Sequence, residues 1–500
     1  MANRKGTDGR LGRVLVLGLG KSGRSASNYC LRELGGRVED LAIAAGAPSE
    51  EGERFAEGVR ARGARVVFGD EAPGLLAQEG RFDVCVASPG IPPHSPLYLA
   101  AGAVSDEVIS EVEFAWRESA ADSVWVAVTG TNGKSTTTAC IAFVLRGAGL
   151  AARAVGNIGD TCIDAVAAGD VRVYVAEVSS YQLASTSRFA PDVAVLLGIT
   201  PDHVRWHGSL EAYAQAKYRV FDNLAASGRG VAVLDATNDV VRGKLEQLRA
   251  RPAAERGFEL VAVGGSGGVR DAARAGGAAW LDGEGVLRVR LGGRDVPVVR
   301  ADALQILGEH NVLNALCAAS AALALGLAPQ AAAAGLSAFS PLEHRIEPCG
   351  AVGQVRCYND SKATNVDATL RALESFPGEE VYVLLGGDDK GTDLAPLVAS
   401  CHAHAAGAVC FGAAGERFAA AFEDAAGAAP EGFALRRAQH LADALDEALR
   451  LAAGDGVVLL SPACASFDEF TSFEHRGRVF KQLVADRAAR AARVAAGAEA

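Results

Sequence analysis

Short apolar runs rich in β-branched residues recur along the chain, and most are followed by a turn residue and then by a segment with helical periodicity. This alternation of short strands with helices predicts an α/β fold built on parallel sheets. The clearest strand candidates are residues 14–17, 84–87, 124–128, 173–178, 193–197, 355–358, 381–385, 409–411 and 457–460.

The strand candidates fall into three groups, and the segments between the groups mark the predicted domain boundaries. The polar stretch ESAADS precedes the strand that begins at Val124, and Ser340 follows an alanine-rich helical stretch. Between about Gly264 and Arg300, alternating VLRVRL, a GG turn and DVPVV predict a β-hairpin inserted in the middle domain. We therefore predict a Rossmann-like domain over residues 1–120, a P-loop ATPase-like domain with a parallel sheet over 121–340, a second Rossmann-like domain over 341–488 and an alanine-rich tail over 489–500.

Composition and charge narrow the classes of partner. A net charge of −11 and a pI near 5.4 leave no global basic surface, so we expect no nucleic-acid partner. The N-terminal apolar run VLVLGLG is short and ends at Lys21, and Pro329 interrupts the apolar segment 316–336, so we expect neither a signal peptide nor a membrane span. Ten cysteines without a CxxC pair are typical of a reducing cytosol. We expect a soluble cytoplasmic protein.

The first glycine-rich turn, GLGKSG, places Gly18, Gly20 and Gly23 between the strand VLVL and a helix, with Asp40 about twenty residues beyond Gly20. Glycines let the backbone approach a diphosphate at a helix N-terminus. A diphosphate ligand other than NAD is the favoured interpretation, while NAD and mere tight packing of strand against helix stay open. The turn at residues 88–92 either closes over the same ligand or is a rigid proline turn.

A second glycine-rich turn lies in VAVTGTNGKSTTT and is typical of a loop that holds nucleotide phosphates. Gly130 and Gly133 offer backbone N–H groups, Lys134 offers charge for the β- and γ-phosphates, and Ser135 offers a hydroxyl for a magnesium ion. Val128 stands where the common pattern has its first glycine, so an ordinary polar helix start is the alternative.

Acidic and histidine residues follow two further strands of this group. Glu177 ends the strand VYVAEV, where a carboxylate is costly unless it meets a cation or solvent, so it is either a magnesium ligand or a helix-capping residue. Asp202, His203 and His207 follow the strand VAVLL, and Lys217 lies on the helix beyond them. An acid, two imidazoles and a lysine at a strand end favour a metal or phosphate site over a core.

Two lysines of the third group, Lys362 in NDSKATN and Lys390 in LGGDDKG, also follow strands, where an open α/β sheet binds its ligands; the alternative is a solvated surface position. Together with GTNGKST, Glu177, the DHxxxHG run from Asp202 and Lys217, these motifs resemble the Mur ligase family, ATP-dependent amide-forming enzymes of peptidoglycan assembly. GEHNVLNALCA, EHRIE and SPACASFDEF extend the resemblance over essentially the whole chain. The third-domain motifs resemble the D-glutamate-adding member more closely than its siblings.

The resemblance implies ligands and roles for individual residues. ATP is expected at Gly130, Thr131, Asn132, Gly133, Lys134, Ser135, Thr136, Asn311, Arg345 and Asp360. The UDP-sugar is expected at Gly18, Leu19, Gly20, Lys21, Ser22, Asp40, Ser88, Pro89, Gly90 and Asn157. D-Glutamate is expected at Thr364, Lys390, Ser466 and Phe473. Two Mg²⁺ ions are expected at Ser135, Glu177, His203 and Lys217. The expected catalytic residues are Lys134, Glu177, His203, Lys217 and Lys362.

The resemblance also implies a reaction. Asn311 matches the adenine contact, Arg345 a phosphate contact and Asp360 the ribose contact. Lys217 matches a lysine that carbon dioxide converts to a carbamate, and nearby metal charge would lower its pKa to permit this. The expected enzyme is a cytoplasmic monomer that joins D-glutamate to UDP-N-acetylmuramoyl-L-alanine through an acyl phosphate, with ADP and phosphate as products.

Two alternatives stay open. A sibling ligase for another amino acid, or a folate glutamyl ligase, would share the phosphate loop but lack the NDSKATN and SPACAS loops. A non-catalytic nucleotide switch would keep Lys134 and Ser135 without needing the cations of the third domain. Leu41 and Ala42 stand where the family has Thr and Arg, which leaves uracil recognition open, and residues 243–300 match no motif.

Overall fold

The computed structural model describes residues 9–78, 80–265, 269–270, 276–389 and 391–498, and for residues 204–205 and 494–498 it describes the backbone alone. The chain forms two compact units, one of Met1–Leu304 with Leu313–Phe339 and one of Gln305–Val312 with Ser340–Ala500. The described residues form three sheets, which confirms the predicted α/β class. The domain boundaries at residues 120, 340 and 488 stay predictions.

The first sheet lies in the first unit and has five parallel strands. They are β1 (Gly12–Leu17), β2 (Val38–Ala45), β3 (Arg65–Phe68), β4 (Val84–Ala87) and β5 (Val108–Ser110), and the helices are α1 (Lys21–Arg32), α2 (Glu50–Arg60), α3 (Ala72–Leu76), α4 (Pro96–Ala103) and α5 (Glu111–Glu118). The order β3-β2-β1-β4-β5 reverses between β1 and β4. Open α/β sheets bind ligands beside such a reversal, at the carboxyl ends of the strands.

The second sheet also lies in the first unit and has nine strands. They are β6 (Val124–Thr129), β7 (Ala152–Gly156), β8 (Val173–Glu177), β9 (Val193–Leu196), β10 (Val231–Asp235), β11 (Glu259–Gly264), β12 (Gly277–Leu281), β13 (Val286–Leu291) and β14 (Arg294–Arg300). The order is β14-β13-β12-β11-β10-β9-β6-β8-β7, parallel except at β12-β13-β14. The predicted β-hairpin is confirmed as β13 and β14, which extend one edge of the sheet.

Helices flank this second sheet. They are α6 (Lys134–Gly147), α7 (Cys162–Ala168), α8 (Ser180–Ala184), α9 (Val204–His207), α10 (Leu210–Tyr218), α11 (Asp239–Arg249), α12 (Ala253–Arg256), α13 (Glu309–Ala324) and α14 (Pro329–Ala338). The division between the two units falls inside α13, after Val312. Among the described residues, no helix is both long enough and apolar enough to cross a bilayer.

The third sheet lies in the second unit and has six strands. They are β15 (Glu347–Val352), β16 (Val355–Asn359), β17 (Val381–Gly386), β18 (Gly407–Phe411), β19 (Ala434–Arg437) and β20 (Val457–Leu460), and the helices are α15 (Val366–Leu373), α16 (Ala395–His404), α17 (Gly415–Asp424), α18 (Leu441–Leu451) and α19 (Phe473–Ala498). The order is β15-β16-β20-β17-β18-β19, and only β15 is antiparallel to its neighbour.

The parallel strands are continuous apolar runs because helices cover both faces of such sheets. Every residue of β4, β8, β17 and β20 is buried. Polar side chains therefore collect where these strands end, at the loops after β1, β4, β6, β8, β16, β17 and β20. Those loops contain most of the residues that the motifs singled out.

Candidate functional site

The phosphate loop joins β6 to α6 and is closely packed. Gly130 and Gly133 have φ angles of +150° and +80°. A Cβ added at Gly130 would lie 2.6 Å from Leu197 Cβ, and one at Gly133 would lie 2.6 Å from Asn314 Oδ1. Glycine is therefore required at both positions, by backbone angle and by space. Because α6 begins at Lys134, its free N–H groups lie at this turn, as an anion site requires.

Two lysines donate to carbonyl groups of this loop. Lys134 Nζ donates to the Thr131 carbonyl at 2.7 Å, and Lys217 Nζ donates to the Gly130 carbonyl at 2.6 Å. Lys217 is 1% exposed and its Nζ lies 4.5 Å from the centre of the Tyr213 ring. Burial, with the charge of Lys134, lowers the pKa of Lys217 well below its ordinary value, although nearby carboxylates oppose the shift. The site therefore favours an uncharged amine at Lys217.

Glu177 is the last residue of β8, and its two carboxylate oxygens differ in their hydrogen bonding. Its Oε1 accepts a hydrogen bond from Asn157 Nδ2 at 3.0 Å. Its Oε2 is buried and has no hydrogen-bond partner within the described part of the chain. A buried carboxylate oxygen without a donor is costly, and Mg²⁺ prefers oxygen ligands of this kind. Glu177 is therefore suited to bind a divalent cation at the end of β8, the strand that pairs with β6 just before the phosphate loop.

The two predicted histidines differ in their surroundings. His203 has a positive φ of +52°, its N–H donates to Asp202 Oδ1 at 2.8 Å, and its ring lies 4.9 Å from the Tyr181 ring. His207 Nε2 lies 2.9 Å from Ser180 Oγ and its ring stacks on Tyr181. Burial, followed by nearby positive charge, lowers the pKa of His207 to about 4, so this ring is neutral. His207 packs, and His203 is the histidine held in a strained backbone position.

A cavity of about 520 Å³ lies at the carboxyl ends of β1, β2, β3 and β4. It is lined by residues 18–22, by residues 45–47 with Ser49, by Phe68 and by residues 88–91. A Cβ at Gly23 would lie 1.9 Å from the Gly18 carbonyl oxygen, so the helix approaches the turn as closely as a diphosphate-binding motif demands. The predicted residues Gly18, Leu19, Gly20, Lys21, Ser22, Ser88, Pro89 and Gly90 all line this cavity.

The structure corrects the prediction for Asp40. This residue lies near the start of β2, where it pairs in register with Arg13 of β1. It is therefore at the amino-terminal ends of the strands, whereas the glycine turn follows their carboxyl ends. Arg65 binds both of its carboxylate oxygens at 2.8 Å. The prediction was wrong because the spacing was counted along the sequence, whereas β2 continues for five residues beyond Asp40. The residues that do follow β2 at the cavity, Gly46 and Ala47, carry no acid.

Two predicted residues of the sugar-nucleotide site, Lys21 at the cavity and Asn157 after β7, make contacts near the second sheet. Lys21 Nζ donates to the carbonyl oxygen of Gly159 at 2.5 Å, in the loop after β7. Asn157 in the same loop holds Glu177, and its N–H donates to the Glu177 carbonyl at 3.0 Å. The loop after β7 therefore contacts both Lys21, next to the glycine turn of the first sheet, and Glu177 at the end of β8.

In the second unit, the loops after β16 and β20 lie side by side because these strands are paired. Asp360 follows β16, and its Oδ2 accepts a hydrogen bond from Ser461 Oγ at 2.8 Å. Burial raises the pKa of Asp360 to about 7. Lys362 Nζ lies 3.7 Å from the centre of the Phe473 ring, a close cation–π contact. Lys390 lies outside the described residues.

The remaining predicted residues of this unit are placed as follows. Thr364 lies in the loop after β16, and its N–H donates to the Lys362 carbonyl at 2.9 Å. Ser466 lies in the loop after β20 and is 2% exposed. Arg345 precedes β15, and Asn311 lies in the first turn of α13, where its Nδ2 donates to the Leu307 carbonyl at 2.6 Å.

Two family models match the chain: the Mur ligase middle domain over residues 128–322, and the Mur ligase, glutamate ligase domain over residues 344–464. A UDP-N-acetylmuramoylalanine--D-glutamate ligase of Salinibacter ruber is 38% identical over 484 residues, which cover 94% of this chain and 97% of the relative. The chain belongs to the Mur ligase family. The resemblance predicted from the sequence motifs is confirmed.

Other relatives of this Mur ligase are also named UDP-N-acetylmuramoylalanine--D-glutamate ligase. The protein of Pelotomaculum thermopropionicum is 37% identical over 476 residues, covering 94% of this chain and 97% of the relative. The protein of Bordetella parapertussis is 35% identical over 510 residues, covering 95% and 97%. Both alignments extend over nearly the full length of each chain, so the similarity is not confined to the nucleotide-binding motifs.

Solved structures share the fold at low sequence identity. A UDP-N-acetylmuramate-alanine ligase from Thermotoga maritima has a TM-score of 0.52 at 17% identity, over 94% of this chain and 98% of its own. A pseudomurein peptide ligase type C from Methanothermus fervidus has a TM-score of 0.50 at 16% identity, over 90% and 96%. At this identity the similarity extends to the fold alone.

The structure of this Mur ligase also shows two residues that sequence reasoning missed. Asn314, three residues after Asn311, accepts a hydrogen bond from Thr137 Oγ1 at 3.1 Å and touches the phosphate loop. Arg476 on α19 is fully buried and donates to the carbonyl oxygens of Cys464 and Ala465. Asn314 could have been found from its helical spacing of three residues from Asn311, which places both side chains on one face of the helix. Arg476 could have been suspected because a charged residue on a helix that packs against a core needs hydrogen-bond partners.

Proposed function

We propose that this Mur ligase adds D-glutamate to UDP-N-acetylmuramoyl-L-alanine at the expense of ATP, in the synthesis of peptidoglycan precursors. The observation that carries this proposal is the similarity over the whole chain to relatives named for that reaction, 34–38% identical over 94–95% of the chain. The packed phosphate loop, the bare carboxylate oxygen of Glu177 and the buried amine of Lys217 supply the chemistry that ATP-dependent activation needs.

ATP is proposed to bind with its phosphates at the turn before α6. The contacting residues are Gly130, Thr131, Asn132, Gly133, Lys134, Ser135 and Thr136, with Asn311, Arg345 and Asp360 as the adenine, phosphate and ribose contacts. Support comes from the φ angles of the two glycines, from the helix N-terminus at this turn, and from Lys134, whose ammonium group already lies at the loop. A nucleotide phosphate offers that ammonium a stronger partner than the Thr131 carbonyl.

Mg²⁺ is proposed to bind at Ser135, Glu177, His203 and a modified Lys217, as two ions. When bound, Mg²⁺ offsets the negative charge of the phosphates. An unmodified ammonium at Lys217 would repel it. In the proposed modification the Nζ lone pair of Lys217 forms a bond to the carbon of CO₂, one C=O electron pair moves to oxygen, and an amine proton leaves to solvent. Burial of Lys217 at 1% exposure favours the uncharged amine that this step requires.

Activation of the substrate carboxylate makes amide formation possible. The alanyl carboxylate attacks the γ-phosphorus, ADP leaves with the electrons of the broken P–O bond, and an acyl phosphate remains. The amine of D-glutamate then attacks the acyl carbon, gives up a proton, and phosphate leaves. Lys134 acts by position and charge on the transferring phosphoryl group, and Lys362 is proposed to assist from the loop after β16.

D-Glutamate carries two carboxylates and needs cations or N–H donors for both. Lys390 and Thr364 are proposed to bind one carboxylate, and Ser466 with the backbone at Phe473 the other. Support comes from the parallel pairing of β16 and β20, because Thr364 and Ser466 lie in the loops that follow the carboxyl ends of these two strands.

The UDP-sugar is proposed to bind in the cavity at the first sheet. The contacts are Gly18, Leu19, Gly20, Lys21, Ser22, Ser88, Pro89 and Gly90, with Asn157 nearby in the loop that Lys21 reaches. The residues after β2 at the cavity, Gly46 and Ala47, are small and neutral, so we propose that the base and ribose are bound without a carboxylate from this turn. We propose a cytoplasmic monomer, in keeping with ten free cysteines and with a reaction that consumes ATP.

The test is ADP release from ATP with UDP-N-acetylmuramoyl-L-alanine while the amino acid is varied. We expect release that depends on D-glutamate and is lost in Lys134→Gln, which keeps a similar side-chain length without the charge. Release that depends on another amino acid would select a sibling ligase. Release of no ADP with any amino acid would leave only a nucleotide-binding protein.

The modification of Lys217 has its own readout. Protein equilibrated with ¹³C-bicarbonate should show a carbamate carbon resonance that is absent from Lys217→Arg. A second variant, Lys244→Arg, controls for reaction at other lysines, because Lys244 is a half-buried lysine on a different helix, α11. A spectrum of the unsubstituted protein that matches Lys217→Arg would contradict the proposal.

A further inference from the structure

The loop after β20, residues 461–470, carries Ser466 and is called here the acceptor loop. Its first residue, Ser461, is held by hydrogen bonds to the loop after β16 and to α15. Ser461 Oγ donates to Asp360, and the Ser461 carbonyl accepts from Thr369 Oγ1 at 3.1 Å. Next along the loop, Ala465 exchanges two backbone hydrogen bonds with Asp388, at 2.9 and 3.1 Å. Up to Ala465, therefore, backbone and buried side chains hold the acceptor loop.

Beyond Ser466 the acceptor loop leaves the core. Residues 467–469 are exposed, and Phe467 is 71% exposed. Apolar packing therefore does not determine the path of the loop at this point. Burial resumes at Phe470, whose N–H donates to the Ser466 carbonyl at 2.8 Å.

Two carboxylates anchor this exposed part. Asp468 Oδ2 accepts a hydrogen bond from the N–H of Ala413 at 3.1 Å, in the turn between β18 and α17. The approach is close, since a Cβ at Gly412 would lie 2.5 Å from the same oxygen. Glu469 Oε2 accepts a weaker bond, at 3.4 Å, from the N–H of Leu441 at the start of α18. Leu441 is the first residue of α18, where free N–H groups and the helix dipole favour a carboxylate, whereas Ala413 lies in the turn two residues before α17.

Open space lies beside the Asp468 anchor. A cavity of about 570 Å³ at the carboxyl ends of β18 and β19 is lined by Gly412, Ala413, Arg437, His440 and Asp468, among others. On the side of this cavity, no packed side chains oppose a shift of residues 467–469 within the described part of the chain. The hydrogen bond from Ala413 to Asp468 is therefore the shorter of the two carboxylate contacts that hold the exposed end of the acceptor loop, and it lies two residues from Ser466.

We propose that Asp468 is a positioning residue for the acceptor amino acid. By accepting the Ala413 N–H, it holds the acceptor loop in the place where the Ser466 hydroxyl can bind a carboxylate of the incoming substrate. Asp468 itself does not touch that substrate. The inference rests on the proposed function, because it assigns Ser466 to D-glutamate.

The test compares Asp468→Ala, Asp468→Asn and Glu416→Ala by KM and kcat. We expect Asp468→Ala to raise KM for D-glutamate about 3- to 30-fold, the range for losing one hydrogen bond between a backbone N–H and a carboxylate, with KM for ATP within about twofold. Asp468→Asn keeps an oxygen acceptor and should restore KM to within about threefold of the unsubstituted enzyme. Glu416 is the matched control, because it is an exposed acid in the first turn of α17, close to Ala413, and it pairs with Arg437 and not with the acceptor loop.

Four outcomes would overturn the inference. One is an unchanged KM for D-glutamate in Asp468→Ala. A second is equal KM increases in Asp468→Asn and Asp468→Ala, and a third is an equal increase in Glu416→Ala. If Asp468→Ala does not fold, hydrogen exchange of the unsubstituted enzyme decides: D-glutamate should slow exchange at the Ala413 amide, and unchanged exchange there is the fourth. Absence of D-glutamate-dependent ADP release from the unsubstituted enzyme would instead refute the proposed function.

Discussion

Replacing the buried guanidinium of Arg476 with an uncharged side chain should destabilise the second unit by at least about 3 kcal/mol. Arg476 donates four hydrogen bonds: to Ser361 Oγ and the Ser361 carbonyl at 2.9 Å, to the Cys464 carbonyl at 3.0 Å and to the Ala465 carbonyl at 3.1 Å. Bonds with a charged donor contribute about 1.5–3 kcal/mol each. Against this, burial lowers the pKa of Arg476 to about 10, which corresponds to a cost of about 3 kcal/mol for the charge.

The variant Arg476→Met keeps the length and apolar stem and removes the guanidinium donor from the carbonyls of Ser361 and Cys464, while the Ala465 carbonyl still accepts from the Asp388 N–H. All four tryptophans lie in the first unit, so tryptophan fluorescence serves as an internal control. Urea unfolding followed by far-UV circular dichroism should show an earlier transition that the fluorescence does not share. Arg476→Lys should fall between the two proteins, because one ammonium cannot serve acceptors in both loops. A change below about 1 kcal/mol in Arg476→Met would refute the reasoning, because losing a buried hydrogen-bond network costs more.

Three further results are expected. Burial raises the pKa of Glu111 to about 7, above the ordinary value of 4.5, so the free energy of unfolding should fall by about 3 kcal/mol as pH rises from 4.5 through 7. In urea titrations at pH 5 and 8, Glu111→Gln should lose less stability between the two pH values than the unsubstituted protein. An equal loss in both proteins would contradict the assignment. Gly133→Ala places a Cβ 2.6 Å from Asn314 Oδ1 at a φ of +80°, so ATP affinity measured by calorimetry should fall at least about tenfold, and unchanged affinity would exclude the loop geometry. Asp40→Asn should leave KM for the UDP-sugar within about twofold, since the residue lies away from the cavity, and a larger rise would reinstate it.

The fold was largely predictable because its strands are buried on both faces. Such strands are continuous apolar runs, and β17, with all six residues buried, was predicted to within one residue. The phosphate loop was predictable for a similar reason, since Gly130 and Gly133 satisfy a local backbone demand that the sequence displays. Both predictions depend on residues close together in the chain.

The errors and omissions involve geometry that residue spacing does not encode. Asp40 was misplaced because the count from the glycine turn does not reveal where β2 begins. Arg476 was missed because its acceptor on Ser361 lies 115 residues away. Asp468 and Ala413, 55 residues apart, meet only after β18 and β20 have entered one sheet. Such contacts require the fold before they can be identified.

The central claim is that the substrate carboxylate becomes an acyl phosphate at the phosphate loop. The most direct test supplies UDP-N-acetylmuramoyl-L-alanine labelled with ¹⁸O in the alanyl carboxylate, together with ATP and D-glutamate, and measures the label in the released phosphate by mass spectrometry. The account predicts one ¹⁸O atom in each phosphate, because the carboxylate oxygen that attacks phosphorus leaves with it. Phosphate free of label, alongside amide product, would contradict the account.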